Sequence, residues 1–198
     1  MFPNTVSIVM PPTIVRLFVL GALGGFFHTG GPPGQPAPSP VIDAAVCNVS
    51  ANPDAWNHKR IRLSGVVTKE FENFTIGDPA CPAAADAVGI WLTLGGRRSS
   101  SVVYCCPGEG DGHRSQAMTA DGMTVPLVED AMLSQFVRLL RGNAEFSGRA
   151  TLVGTFFAGR RAERDLNWRG YGHFGCCTLF VIERVEQLGP LSARPPRQ

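Results

Sequence analysis

The placement of one amphipathic helix among five strand-like segments constrains this chain more than any other feature of its sequence. From Glu129 to Arg141 (EDAMLSQFVRLLR), Met132, Leu133, Phe136, Val137 and Leu140 recur at spacings of three and four, so one stripe of the helix is apolar. Acids open the segment, Arg138 and Arg141 close it, and Gly142 follows at the expected C′ position. The remaining periodic segments alternate with a period of two. Lys59 to Lys69 (KRIRLSGVVTK) sets Ile61 and Leu63 against Arg60, Arg62 and Ser64, and Gly65 bends it. Phe71 to Ile76 is a second strand, closed by the turn formers Gly77, Asp78 and Pro79. Val88 to Leu94 is a third, with Ile90, Leu92 and Leu94 opposite Trp91 and Thr93. Ala144 to Ala158, bent at Gly148 and Gly154, is a fourth, and Thr178 to Leu188 is a fifth.

The order is β-β-β-α-β-β with glycine-interrupted long strands, which is the element order of the five-stranded oligonucleotide/oligosaccharide-binding (OB) barrel. A β-sandwich would lack the helix, and a βαβ fold would need helices between most strands. The expected fold is therefore mainly β, an OB-like barrel with a short N-terminal helix in AAVCNVSANPDAWN, ended or redirected at Pro53, that lays Val46 and Val49 on the barrel. Between the third strand and the helix, Gly95 to Gly122 is long, polar and glycine-rich, with Val102 to Cys106 as a candidate extra strand. Loops of that length are usually functional or disordered.

Ahead of the barrel, Arg16 precedes the apolar run Leu17 to Phe27, which suits a signal-peptide core and is too short to span a bilayer comfortably. Residues 1–29 accordingly read as a signal peptide or N-terminal anchor, and 30–40 (GGPPGQPAPSP from Gly30) as a disordered Pro/Gly linker. Residues 41–190 form the barrel domain and 191–198 a disordered tail. No membrane span is expected beyond the leader. Past the leader all six cysteines remain, and an even set in an exported chain reads as a disulfide framework. The expected location is secreted or periplasmic.

Several blocks resemble those of a loosely defined group of uncharacterised exported bacterial proteins with OB-like barrels. These are AVCNVSANPDAWNHKRIRLSGVV, FTIGDPACP followed by VGIWLTL, SGRATLVGTFFAG, and GYGHFGCCTLFVIERVEQL, together about half of the chain. The Cys-bearing "ANP" helix before the first strand and the GYGHFG turn before the last are the most specific. The resemblance implies a barrel fold and export, and it implies no agreed activity. Cys105/Cys106 and Cys176/Cys177 depart from the group's pattern.

Candidate chemistry concentrates between the fourth and fifth strands. Gly159 to Gly172 (GRRAERDLNWRGYG) interleaves Arg160, Arg161, Arg164 and Arg169 with Trp168 and Tyr171, and His173 follows in a turn with three glycines. Guanidinium groups hold anionic groups while rings stack on aromatic faces, and OB barrels bind through this loop. These seven residues are the candidate ligand-binding set, for a protein or a glycan. Glu163 and Asp165 offset half of the loop's charge. From Val41 onward, 17 Lys plus Arg (all 18 less Arg16) face 16 Asp plus Glu, so no global field draws nucleic acid, which is not expected as a partner.

For the cysteines, parallel third and fifth strands bring Cys81, and Cys47 with it, toward Cys176 or Cys177. Adjacent residues point to opposite faces, so the other member of that pair reaches Cys105 or Cys106. The alternative is a periplasmic metal-handling protein using Cys105, Cys106, Cys176 and Cys177 with His113 and His173, although a CC pair lacks the C-x2-C gap that lets two thiolates face one ion. No nucleophile and base fall into a recognisable catalytic pattern and no motif asks for a cofactor, so the chain is expected to be a binding module and not an enzyme.

Overall fold

A computed structural model describes residues 39–70, 73–81, 89–99, 112–142, 145–159, 170–172, 175 and 177–192. Its elements, in chain order, are β1 (Ile42–Ala45), α1 (Val46–Ala51), a 3-10 turn (Pro53–Trp56), β2 (Arg60–Glu70), β3 (Asn73–Gly77), β4 (Ile90–Leu94), β5 (Thr119–Ala120), β6 (Met123–Thr124), α2 (Ala131–Gly142), β7 (Phe146–Phe157) and β8 (Leu179–Ser192). Among the described residues the protein is mainly β with two α-helices, as its alternating pattern requires.

Pairing runs β2–β3–β4–β8–β7 and returns from β7 to β2, so five strands close on themselves. The β4–β8 pairing is parallel, and the others in this ring are antiparallel. β2 can serve both neighbours because it is long: it pairs with β7 from Arg60↔Thr155 to Lys69↔Phe146 and with β3 over Val66–Glu70. Two glycines make the close approaches. A Cβ on Gly65 would sit 2.7 Å from the Gly77 carbonyl oxygen, and one on Gly154 would sit 2.1 Å from that of Val181. Gly154 also falls at a register shift between β7 and β8, where an extra residue increases local twist.

Inside the ring, Ile61, Leu63, Phe74, Ile76, Leu92, Leu94, Leu152, Phe156, Phe180 and Ile182 are fully buried. α2 closes this core with Leu133, Phe136, Val137 and Leu140, and the Phe136 ring lies 6.2 Å from that of Phe74. The Asp130 carboxylate accepts from the Leu133 amide at 2.9 Å, a side-chain N-cap that starts the helix at Ala131. At the other end the Lys69 ammonium donates to the Leu140 carbonyl, where orphan carbonyls and the helix dipole favour a cation. Burial lowers the Lys69 pKa.

Several expectations are corrected. The segment before α1 is a strand, β1, which pairs in parallel with β2 from Ile42↔Ile61 to Ala45↔Ser64, so the N-terminal helix begins only at Val46. Val46 and Val49 do bury there. Gly142 is the last helical residue and not a left-handed C′ cap. β8 continues to Ser192, past the expected end of the fifth strand at Leu188, and its pairing with β7 extends to Ser147↔Ser192. Val102 to Cys106 and residues 1–38 lie outside the described residues.

β4 also differs from the alternation its sequence suggests, since all five of its residues are buried. Ile90, Leu92 and Leu94 face the main core, while Trp91 belongs to a second cluster with Ala120, Val125, Phe157, Cys177, Leu179 and Val181. Farther along the outer surface the strands carry charge. Glu183, 5% exposed, accepts from Arg60 Nε at 2.6 Å and from the Thr155 hydroxyl at 2.7 Å, so its charge is paired and hydrogen-bonded. Arg62 joins Glu186 and Asp43, each at 2.7 Å.

Candidate functional site

The second cluster is where the chain's two long connections meet. β5 and β6 form a hairpin whose turn is Asp121-Gly122, with φ of +46° and +76°. A two-residue type I′ turn needs left-handed backbone at both central positions, and Asp-Gly supplies it at low cost. The turn holds the Asp121 side chain out from the hairpin tip. Below it, Ala120 and Val125 bury against the outer face of the sheet, and the Val125 amide donates to the Met118 carbonyl at 3.0 Å. At the hairpin root, Gly96 donates to Val125 and Met118 donates to Gly96. Arg114 pins the preceding segment by donating to the carbonyls of Leu94 and Arg98 and to the Thr93 hydroxyl.

From the other connection comes Tyr171. Its amide and carbonyl exchange hydrogen bonds with Cys177 at 2.8 and 3.0 Å, an isolated antiparallel bridge just ahead of β8. Gly172, at φ +74°, lies so close to the Trp91 indole that a Cβ would come within 2.7 Å of Cδ2. Only glycine permits that backbone contact. The Tyr171 hydroxyl donates to Asp121 Oδ1 at 2.6 Å, and the ring lies 6.2 Å from Phe157. Burial first, and the Asp121 carboxylate second, push the phenol pKa well above its ordinary value, which keeps it a donor.

His58 completes the group. It precedes β2 with a φ of +60°, a conformation a histidine adopts rarely, and its amide donates to the Phe156 carbonyl at 2.8 Å. Its Nε2 lies 3.0 Å from Asp121 Oδ2, and its ring packs edge-on to Phe157 at 5.6 Å. Asp121 therefore ties together three places that are distant in sequence: the start of β2, the insertion after β4, and the loop before β8. His58 and Asp121 are each 43% exposed, so this polar centre sits at the surface over an aromatic floor. Its carboxylate is engaged at both oxygens, which makes it a clasp between segments.

Of the candidate ligand residues, only Tyr171 is among the described ones, and it points into this clasp. Arg160, Arg161, Arg164, Trp168, Arg169 and His173 lie outside them, as do Cys105, Cys106 and Cys176. Asp121 was not singled out by sequence, although TADGMT carries the strongest short hairpin signal available, Asp-Gly between strand residues.

The cysteines pair differently from the expected scheme. Cys47 on α1 bonds directly to Cys81 after β3, with Cα atoms 5.2 Å apart, so Cys81 does not take Cys176 or Cys177 as partner. Cys177 is also disulfide-bonded, which removes one thiolate from the metal-handling alternative. His113 is exposed on a bridge to Arg98, and no three His, Cys, Asp or Glu side chains converge on a metal-sized site among the described residues. Disulfides point to an oxidising, non-cytoplasmic setting. Among the described residues no helix is long and apolar enough to cross a membrane.

Comparison with family models, with curated proteins and with solved structures finds no match to this chain.

Proposed function

We propose that this chain is an exported OB-like barrel acting as a binding or interaction module outside the cytosol. Its ligand is a protein or a glycan, engaged through the arginine and aromatic loop of residues 159–173 together with the insertion of residues 95–122. The barrel reading draws support from the closed ring β2–β3–β4–β8–β7, its parallel β4–β8 pairing, and a helix entering between β4 and β7. Export draws support from the oxidised Cys47–Cys81 and Cys177.

The observation that carries the binding reading is the Tyr171–Asp121 hydrogen bond. It links the loop before β8 to the tip of the insertion, which leaves the sheet beside Ile182 and reaches back to Tyr171, so the two connections with the most functional character meet at one place on the surface. A surface assembled from two tethered loops on a rigid sheet is how such folds present variable binding groups. Arginines beside Trp168 and Tyr171 would contribute charge-assisted hydrogen bonds and ring stacking, a chemistry suited to anionic or ring-bearing groups.

The test compares the wild-type protein with R160A/R164A/W168A, first on an array of neutral and anionic oligosaccharides, then by surface cross-linking in the host that secretes it. The expected result is a specific wild-type signal that the triple variant loses while its thermal transition is unchanged. If the triple variant keeps every interaction of the wild type, the loop is not the binding surface.

A further inference from the structure

We propose that Asp121 is the clasp of a strap: residues 118–125 lie over the apolar outer stripe of β4, β7 and β8 as a cover that opens when the clasp is released. The purpose assigned to it, gating the surface described above, rests on the binding reading, but the device itself does not. The stripe under the strap is Trp91, Phe157, Leu179 and Val181, each 3% exposed or less. A continuous aromatic and aliphatic stripe on the outside of a sheet is normally a binding surface or a packing face, and here the strap covers it with Ala120 and Val125, with Met118 packed partly buried beside them.

The strap's attachments are unequal. Its root is held by backbone bonds from Gly96 to Val125 and from Met118 to Gly96 at 2.8 and 2.7 Å. Among the described residues the β5–β6 pairing is internal to the hairpin and joins it to no other strand, since the two form a sheet of their own. Its tip is joined to the rest of the protein through the Asp121 side chain, which takes the Tyr171 hydroxyl and the His58 imidazole. The carboxylate is partly exposed, so the contact closing the strap is reachable by solvent and by a competing ligand. His58 adds to the asymmetry, because its left-handed backbone is costly for a non-glycine residue and is held by contacts that include this one. A hairpin anchored by backbone at one end and by side chains at the other opens from the side-chain end.

The experiment uses Trp91 as reporter. Replacing Trp56 and Trp168 by Phe leaves Trp91 as the single indole of the three in the sequence. In that parent, acrylamide quenching of Trp91 is expected to be low. D121G, which keeps the positive φ and removes the carboxylate, is expected to raise the quenching constant severalfold while the cooperative thermal transition is retained. D121N, which keeps an acceptor, is expected to stay near the parent. Should D121G fail to fold, H58N/Y171F removes both partners and leaves the turn residue intact, with the same expected rise. Quenching equal to the parent in the folded variants would overturn the proposal, as would a rise that appears only together with loss of cooperative unfolding. No ligand enters this test, so its failure is separate from any failure of the binding reading.

Discussion

The main core and the outer cluster are both apolar and both buried, yet they are built by different rules. Inside the ring the strands contribute alternate residues, with a shift of phase on β8 between Ile182 and Val185, and α2 contributes a stripe, so burial largely follows periodicity. Outside, Trp91, Leu179, Val181 and Phe157 occupy positions that alternation assigns to solvent, and they are buried because two connections fold back over them. The first kind of core is specified by pattern and resists local change, because each side chain is surrounded by strands locked into a closed circuit. The second kind depends on loops whose attachment is partly polar. It should therefore respond to single substitutions locally.

Four variants sharpen this contrast, beginning with the largest effect. Phe180→Ala, at the centre of the ring, should lower the free energy of unfolding by about 3–5 kcal/mol through lost burial and the cavity left behind, measured by urea titration with an unchanged slope. Replacing Cys47 and Cys81 together by Ser should cost about 2–4 kcal/mol, since the bridge closes a long stretch of the unfolded chain. The same titration under oxidising and reducing conditions checks it, because the variant should lose that particular redox dependence. Val125→Ala, in the strap, should cost about 1.5 kcal/mol at most, the value of the removed methyl groups, and a loss as large as that of Phe180→Ala would erase the distinction between the two clusters.

Tyr171→Phe should be the mildest, at about 1 kcal/mol for one hydrogen bond at a partly exposed site. Its effect depends on pH. The folded phenol titrates above its ordinary value of 10.0, so its proton stabilises the native state fully at lower pH, and that contribution is lost as the pH climbs through the raised value. Alkaline unfolding of the wild type should show this slope, and Tyr171→Phe should flatten it. With Tyr104 replaced by Phe, Tyr171 is the remaining tyrosine of the two in the sequence, and its absorbance should titrate above the range of a free phenol.

Much of the fold was legible because the ring and α2 obey local periods. Leu133, Phe136, Val137 and Leu140 announce a buried helix face, and the glycines at 65 and 154 mark places where strands bend or come too close for a Cβ. β1 was not legible: four residues, Ile42–Ala45, pairing in parallel at an edge, carry no alternation long enough to separate them from the helix that follows. The outer cluster escaped for a related reason, since nothing in VGIWLTL tells that a distant turn will lay Gly172 against Trp91. The Cys47–Cys81 bridge is likewise a fact of spatial proximity that spacing along the chain does not encode. Tyr171 was legible as important within its loop, and its role in the structure is to fasten that loop to Asp121.

Native-state hydrogen exchange compares the two clusters most directly. In Tyr171→Phe, the amides of the β5–β6 hairpin near the strap's tip should exchange faster, while those of the β2–β7 ladder keep the wild-type rate. Equal acceleration of both sets would mean that strap and ring open as one unit, and the account of a covered outer stripe on an independently closed sheet would be wrong.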